Sequence, residues 1–126
     1  MKIVGVSVPV LTADIERAIP RYEALTGERV TRRFDVPERR LTIALLGSVT
    51  LISGDEQALA PLRALRASFV VDSIADFEAQ LRSNGTTILQ PPAPTPVGWN
   101  MFVRDVEGTV LELVEQSAVP FAGRTP

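Results

Sequence analysis

GTVLELV, residues 108–114, decides how this chain is read, because GSVTLIS at 47–53 lines up with it at an offset of 61. GVSVPV at 5–10 lines up with RASFVV at 66–71 at the same offset. A repeat of this length suggests one structural unit used twice. Around GTVLELV the residues alternate, and the turn Asp105-Val106-Glu107-Gly108 sets it against MFVR at 101–104 as a hairpin. Outward from that hairpin, each half reads strand, helix, three strands.

Residues 3–10 alternate strictly, with Val4, Val6, Val8 and Val10 on one face and Ile3, Gly5, Ser7 and Pro9 on the other. That is a strand with one fully apolar face. A helix is predicted over 13–26, with Asp14 as N-cap, Gly27 as C-cap and a bend or restart at Pro20. Short antiparallel strands are predicted around 29–34, 40–46 and 48–53, then a polar connector over 54–63. The second half has a strand at 65–71 and a helix at 73–83 carrying Ile74, Phe77 and Leu81 on one face. Strands follow at 86–90, 99–104 and 109–115, with the Pro-rich stretch PPAPTPVG at 91–98 as a loop.

The 126 residues are 45% hydrophobic with a formal net charge of −2, which suits a globular chain with no pull toward nucleic acid or anionic membrane. There is no Cys, which removes disulfides and thiolate chemistry, and no His, which removes the commonest general base and transition-metal ligand. No apolar run reaches the ~20 residues of a membrane span. No secretory leader is expected at the start, so a cytoplasmic location is expected.

The segments IVGVSVPV, YEALTG, ASFVVDSIADFEAQLRSNG and above all MFVRDVEGTVLELVE resemble the vicinal oxygen chelate superfamily, the group of glyoxalases, extradiol dioxygenases and bleomycin-binding proteins. Val106 stands where that family often has Pro. The resemblance implies an α+β fold of two tandem βαβββ units forming a curled, mostly antiparallel sheet with a concave cleft. One glyoxalase-like domain is expected over 1–126, with repeat one about 1–57, repeat two about 62–118 and a tail at 119–126. In metal-dependent relatives, each unit gives one ligand from its first strand and one from its last. At the offset of 61 these places fall on Gly5, Leu51, Arg66 and Glu112. Only Glu112 can ligate a cation, so the resemblance implies a divergent member lacking the metal ligands, with no metal and no cofactor.

What remains in the expected cleft is Arg66 with Glu112, read either as a ligand-binding pair or as a plain ion pair. Glu112 is the one candidate catalytic group, as a base. Ser7 and Ser68 are candidate ligand-binding hydroxyls, or else tightly packed small residues. Trp99 and Met101 are candidate ligand contacts, with core or dimer interface as the other reading of Trp99. Phe34 and Phe121 are weaker candidates of the same kind. The arginines at 29, 32, 33, 39 and 40 are read as a solvated hairpin. The expected function is metal-independent binding of a small, partly apolar organic molecule, like the bleomycin-resistance branch. The alternative is a metal-free isomerase, cyclase or lyase using Glu112 with Arg66, and whether the chain is an enzyme stays open. The expected partners are that small molecule and, by resemblance, a second copy in a homodimer, with no nucleic acid and no membrane.

Overall fold

The computed structural model describes residues 1–117. The expected tail and Phe121 lie outside the described residues. Eight strands and three helices appear in the order β1 (Ile3–Thr12), α1 (Ile15–Thr26), β2 (Arg32–Val36), β3 (Leu41–Leu46), β4 (Val49–Ser53), α2 (Glu56–Leu59), β5 (Leu65–Val71), α3 (Ile74–Ser83), β6 (Thr87–Thr95), β7 (Gly98–Arg104) and β8 (Val110–Gln116). The fold is α+β and consists of two βαβββ units in tandem, as expected. By contacts the chain divides into residues 7–64 and residues 1–6 with those from Leu65 onward.

In the first unit the strand order is β2-β3-β4-β1, with β1 parallel to β4 and the other neighbours antiparallel. Helix α1 starts where the Asp14 carboxylate accepts from Arg17 N at 3.2 Å and ends at Gly27 in the left-handed region. Pro20 lies inside it, and the helix runs through without the predicted restart. Pro20 is exposed, so the carbonyl it leaves without a partner is not sealed in the core. Ile15 and Ala18 bury against Ala44, Leu46 and Leu51, with Val10, Ile19 and Tyr22 at the margin. The connector is not simply polar coil. Asp55 caps α2, and Leu59 and Leu62 are buried.

The second unit has the order β5-β8-β7-β6, again with the first strand parallel to the last. Ser73 caps α3, whose Ile74, Phe77 and Leu81 pack over Val71, Met101, Val103 and Leu113. The turn at 105–108 forms as predicted, with Asp105 Oδ1 accepting from Glu107 N and Thr109 N, both at 2.9 Å. The Pro-rich stretch departs from expectation, because β6 continues through it to Thr95. Proline cannot donate to a ladder, but β6 is the outer strand of this unit and needs donors on one side only. The start of β1 lies with this unit beside β5, where Asp72 N donates to Lys2 O at 3.0 Å.

The apolar face of β1 divides. Val10 packs under α1, whereas Val4, Val6 and Val8 each expose more than half of their surface. The repeat also aligns differently from one uniform offset. Val10 pairs with Leu51 and Phe69 with Leu113, both core pairs, so the first strands match 59 places apart and the last strands 62. The turn before β8, residues 105–109, is longer than the turn before β4, residues 47–48. Leu51 is therefore the counterpart of Leu113 and fully buried, and Thr50 is the counterpart of Glu112.

Candidate functional site

In the second unit Leu111 and Leu113 point toward α3, so alternation turns Glu112 to the opposite, open face of the sheet. On β7 the same logic sends Trp99, Met101 and Val103 to the helix side and Asn100, Phe102 and Arg104 to the open side. Glu112, Asn100, Phe102 and Gln90 are each half-buried.

These residues form a hydrogen-bonded row across all four strands. Ser68 Oγ on β5 donates to Glu112 Oε1 on β8 at 2.6 Å. Asn100 Nδ2 on β7 donates to Glu112 Oε2 at 3.1 Å. Gln90 Nε2 on β6 donates to Asn100 Oδ1 at 3.0 Å. A carboxylate is an acceptor, so Asn100 must present its NH2 to Glu112 and its carbonyl to Gln90. Ser68 is only 3% exposed, the one buried polar residue among those described, and its bond to Glu112 satisfies it. Phe102 is directly opposite both Glu112 and Gln90 in the strand register and supplies an apolar surface beside the carboxylate.

The structure thus joins two predicted residues, Ser68 and Glu112, and adds Asn100, Gln90 and Phe102, which sequence reasoning missed. Arg66 is exposed and makes no ion pair among the described residues; the carboxylate is held by a hydroxyl and an amide. Ser7 lies in the first unit, where its hydroxyl shares a 2.6 Å hydrogen bond with that of Thr50. Met101 is fully buried in the core, and Trp99 packs against that core on the helix side. Both therefore stand on the face opposite Glu112, because strand parity fixes the side once Leu113 is in the core. Phe34 pairs with Ile43 in the first unit and is half-buried. Parity could have located Asn100 and Phe102, since Met101 and Val103 match the apolar pair Leu111 and Leu113. Nothing in the sequence places Gln90.

The donor set does not suit a resident metal. Divalent ions of the kind bound by this fold take several imidazole, thiolate or carboxylate ligands. The chain has no His or Cys, and among the described residues no three acidic side chains gather in a group able to hold an ion. Glu112 accepts from the Ser68 hydroxyl and the Asn100 primary amide, neither of which is a cation ligand shared with a second carboxylate. Also among the described residues, no helix is long and apolar enough to cross a membrane.

No protein-family model and no curated protein matches the chain. Among solved structures, an uncharacterized protein from Methanosarcina mazei is 37% identical, with a TM-score of 0.87, covering 96% of this chain and 98% of that one. The methylmalonyl-CoA epimerase of Mycobacterium tuberculosis has a TM-score of 0.76 at 20% identity, covering 91% of this chain and 89% of that one. A variant of the Streptomyces coelicolor methylmalonyl-CoA epimerase, in complex with 2-nitronate-propionyl-CoA, has a TM-score of 0.74 at 19% identity, covering 94% and 99%. The two epimerases are similar to this chain in fold, at an identity too low to carry activity across. The chain belongs to one family with the Methanosarcina mazei protein, and its fold is that of the vicinal oxygen chelate superfamily.

Proposed function

We propose that this protein binds a small, partly apolar organic molecule on the open face of the second unit, without a metal. The observation that carries this reading is the placement of Glu112, fixed at both oxygens by neutral donors, directly across from the half-buried ring of Phe102. Apolar surface with a few oriented polar groups is the usual composition of a small-molecule site. The donor set around Glu112 supports metal independence.

Amide chemical-shift mapping with a panel of small aromatic, aliphatic and acyl-thioester compounds tests the proposal. Acyl-CoA thioesters belong in the panel because the Streptomyces enzyme is described with an acyl-CoA analogue. The expected result is saturable shifts at Ser68, Asn100, Phe102 and Glu112 that persist in excess chelator. Shifts that vanish with chelator would end metal independence. No saturable shift at these residues across the panel would end the binding reading.

A second reading, a metal-free enzyme with Glu112 as proton acceptor, draws on the same geometry. A base must be held at a defined position, and two hydrogen bonds hold this one. It requires that Glu112→Gln abolish turnover of a bound compound while leaving the fold intact, and turnover that survives the change refutes it. A homodimer is part of the proposal as well. Sedimentation equilibrium is expected to return twice the chain mass, and a monomer at high micromolar concentration would refute that part.

A further inference from the structure

Asparagine occurs twice in the chain, at 84 and 100, and only Asn84 is followed by glycine. The pair Asn84-Gly85 ends α3. Asn84 N donates to Leu81 O at 3.2 Å, and Gly85 takes φ of 88°, a left-handed value that glycine adopts at no steric cost. Both residues are exposed. With no side chain on Gly85, nothing on that residue shields its nitrogen from the Asn84 amide carbon. The amide is nevertheless held. Asn84 Oδ1 accepts from Thr86 Oγ1 at 2.7 Å and from Thr86 N at 3.2 Å, an Asx turn reinforced by a hydroxyl. At the Asn84 ψ of 11° the backbone turns Gly85 N away from Cγ. Bringing the two together requires rotation about ψ, which breaks both bonds to Thr86. Exposed residues past the last turn of a helix open at low cost. Asn100 is the opposite case. It is half-buried within β7, opposite Ala93 on one side and Val114 on the other, and the fully buried Met101 follows it.

We propose that Asn84 is a site of spontaneous deamidation gated by Thr86, independent of the binding reading. Gly85 N bonds to Asn84 Cγ, the Cγ–Nδ2 bond breaks, and the amide nitrogen leaves as ammonia with the Gly85 proton. Water then opens the five-membered imide. Cleavage between Gly85 N and Cγ gives aspartate; cleavage between Gly85 N and the Asn84 carbonyl carbon gives isoaspartate, with the chain running through Cγ. Either product takes the formal net charge from −2 to −3. The new charge stands at the C-terminal end of α3, where the helix dipole opposes it. Isoaspartate also inserts one extra backbone carbon between α3 and β6. Ile74, Phe77 and Leu81 of α3 cover the core of the second unit, so the modified protein is less stable than the parent.

Incubation of the full chain in warm, mildly alkaline buffer tests the inference. Trypsin leaves residues 83–104 as one peptide carrying both asparagines, and tandem mass spectrometry assigns the conversion to one or the other. Asn84 is expected to convert roughly tenfold faster than Asn100 or more, in line with its exposed, easily opened turn. The product is expected to accept a methyl group from S-adenosylmethionine in the presence of an isoaspartate methyltransferase, and to unfold at a lower temperature than the parent. Thr86→Val keeps the shape and the backbone N–H but removes the hydroxyl. It is expected to speed conversion of Asn84 roughly fivefold, the gain in open turn when one ordinary hydrogen bond is lost. Conversion of Asn84 no faster than that of Asn100 in the parent chain would overturn the site, whatever the variant does. An unchanged rate in Thr86→Val would overturn the gate.

Discussion

Replacing Asn100 by Asp puts a second carboxylate against Glu112, because the atom it changes, Nδ2, lies 3.1 Å from Glu112 Oε2. Two unit charges at that separation repel by about 5 kcal/mol at an effective dielectric of 20 and about 1 kcal/mol in bulk water. Both side chains are half-buried, so a loss of roughly 3 kcal/mol of folding stability is expected near neutral pH. The lost hydrogen bond to the carboxylate is included in that figure. Protonating one of the two carboxyls removes the repulsion and lets the pair share the proton. One member of the pair then has a raised pKa in the folded state. By linkage, such a group's destabilisation is full above its folded pKa, shrinks as pH falls from that value and is gone below its unfolded pKa. The variant should therefore approach the parent in stability around pH 4 and fall behind as pH rises to 7. Urea denaturation of both proteins at several pH values measures this, and with a slope of about 2 kcal/mol per molar the midpoint should drop by roughly 1.5 M at pH 7. A deficit equal at all pH values would refute the adjacency of Asn100 and Glu112.

Gly98 has φ of 151° and a Cβ there would collide with the Glu115 carbonyl oxygen, so Gly98→Ala should cost roughly 3 kcal/mol, read from thermal or urea unfolding. A cost under about 0.5 kcal/mol would contradict the close approach of β7 to β8. Met101→Ala should destabilise by about 2–5 kcal/mol through a core cavity, in the same denaturation assay. Its ligand affinities, measured while the variant is folded, should be nearly unchanged; a large affinity loss without a stability loss would return Met101 to the site. The Asp72 carboxyl accepts from Lys2 N at 2.8 Å, and that bond, with the nearby N-terminal ammonium, holds its pKa below the ordinary value. Its contribution is present above the unfolded pKa and is lost as pH falls through the lower folded one, so Asp72→Asn should flatten the acid limb of the stability profile. An unchanged acid limb would show that the clasp contributes nothing.

Much of the architecture is legible in local pattern. Period-two alternation in IVGVSVPV, the caps Asp14 and Gly27, and the Asp105–Gly108 turn are short-range signals, and each forms its predicted element. Elements whose context is tertiary were missed. PPAPTP reads locally as loop, yet an outer strand tolerates prolines because one side of it needs no donors. The connector reads as polar, yet Leu59 and Leu62 find a core to enter.

The sequence by itself determined the inventory of chemistry. With no His and no Cys, Glu112 stands out as a carboxylate on an apolar last strand, and two repeated βαβββ units follow from element order. Only the tertiary structure decided what surrounds that carboxylate. Which side of β7 faces Glu112 depends on which side α3 covers, and that placed Asn100 and Phe102 beside Glu112 and Met101 in the core. Register decided the rest. Register shifts in β5 and β6 set Ser68 and Gln90 on the row, and such a β-bulge is a property of two strands together, so neither strand's own sequence declares it.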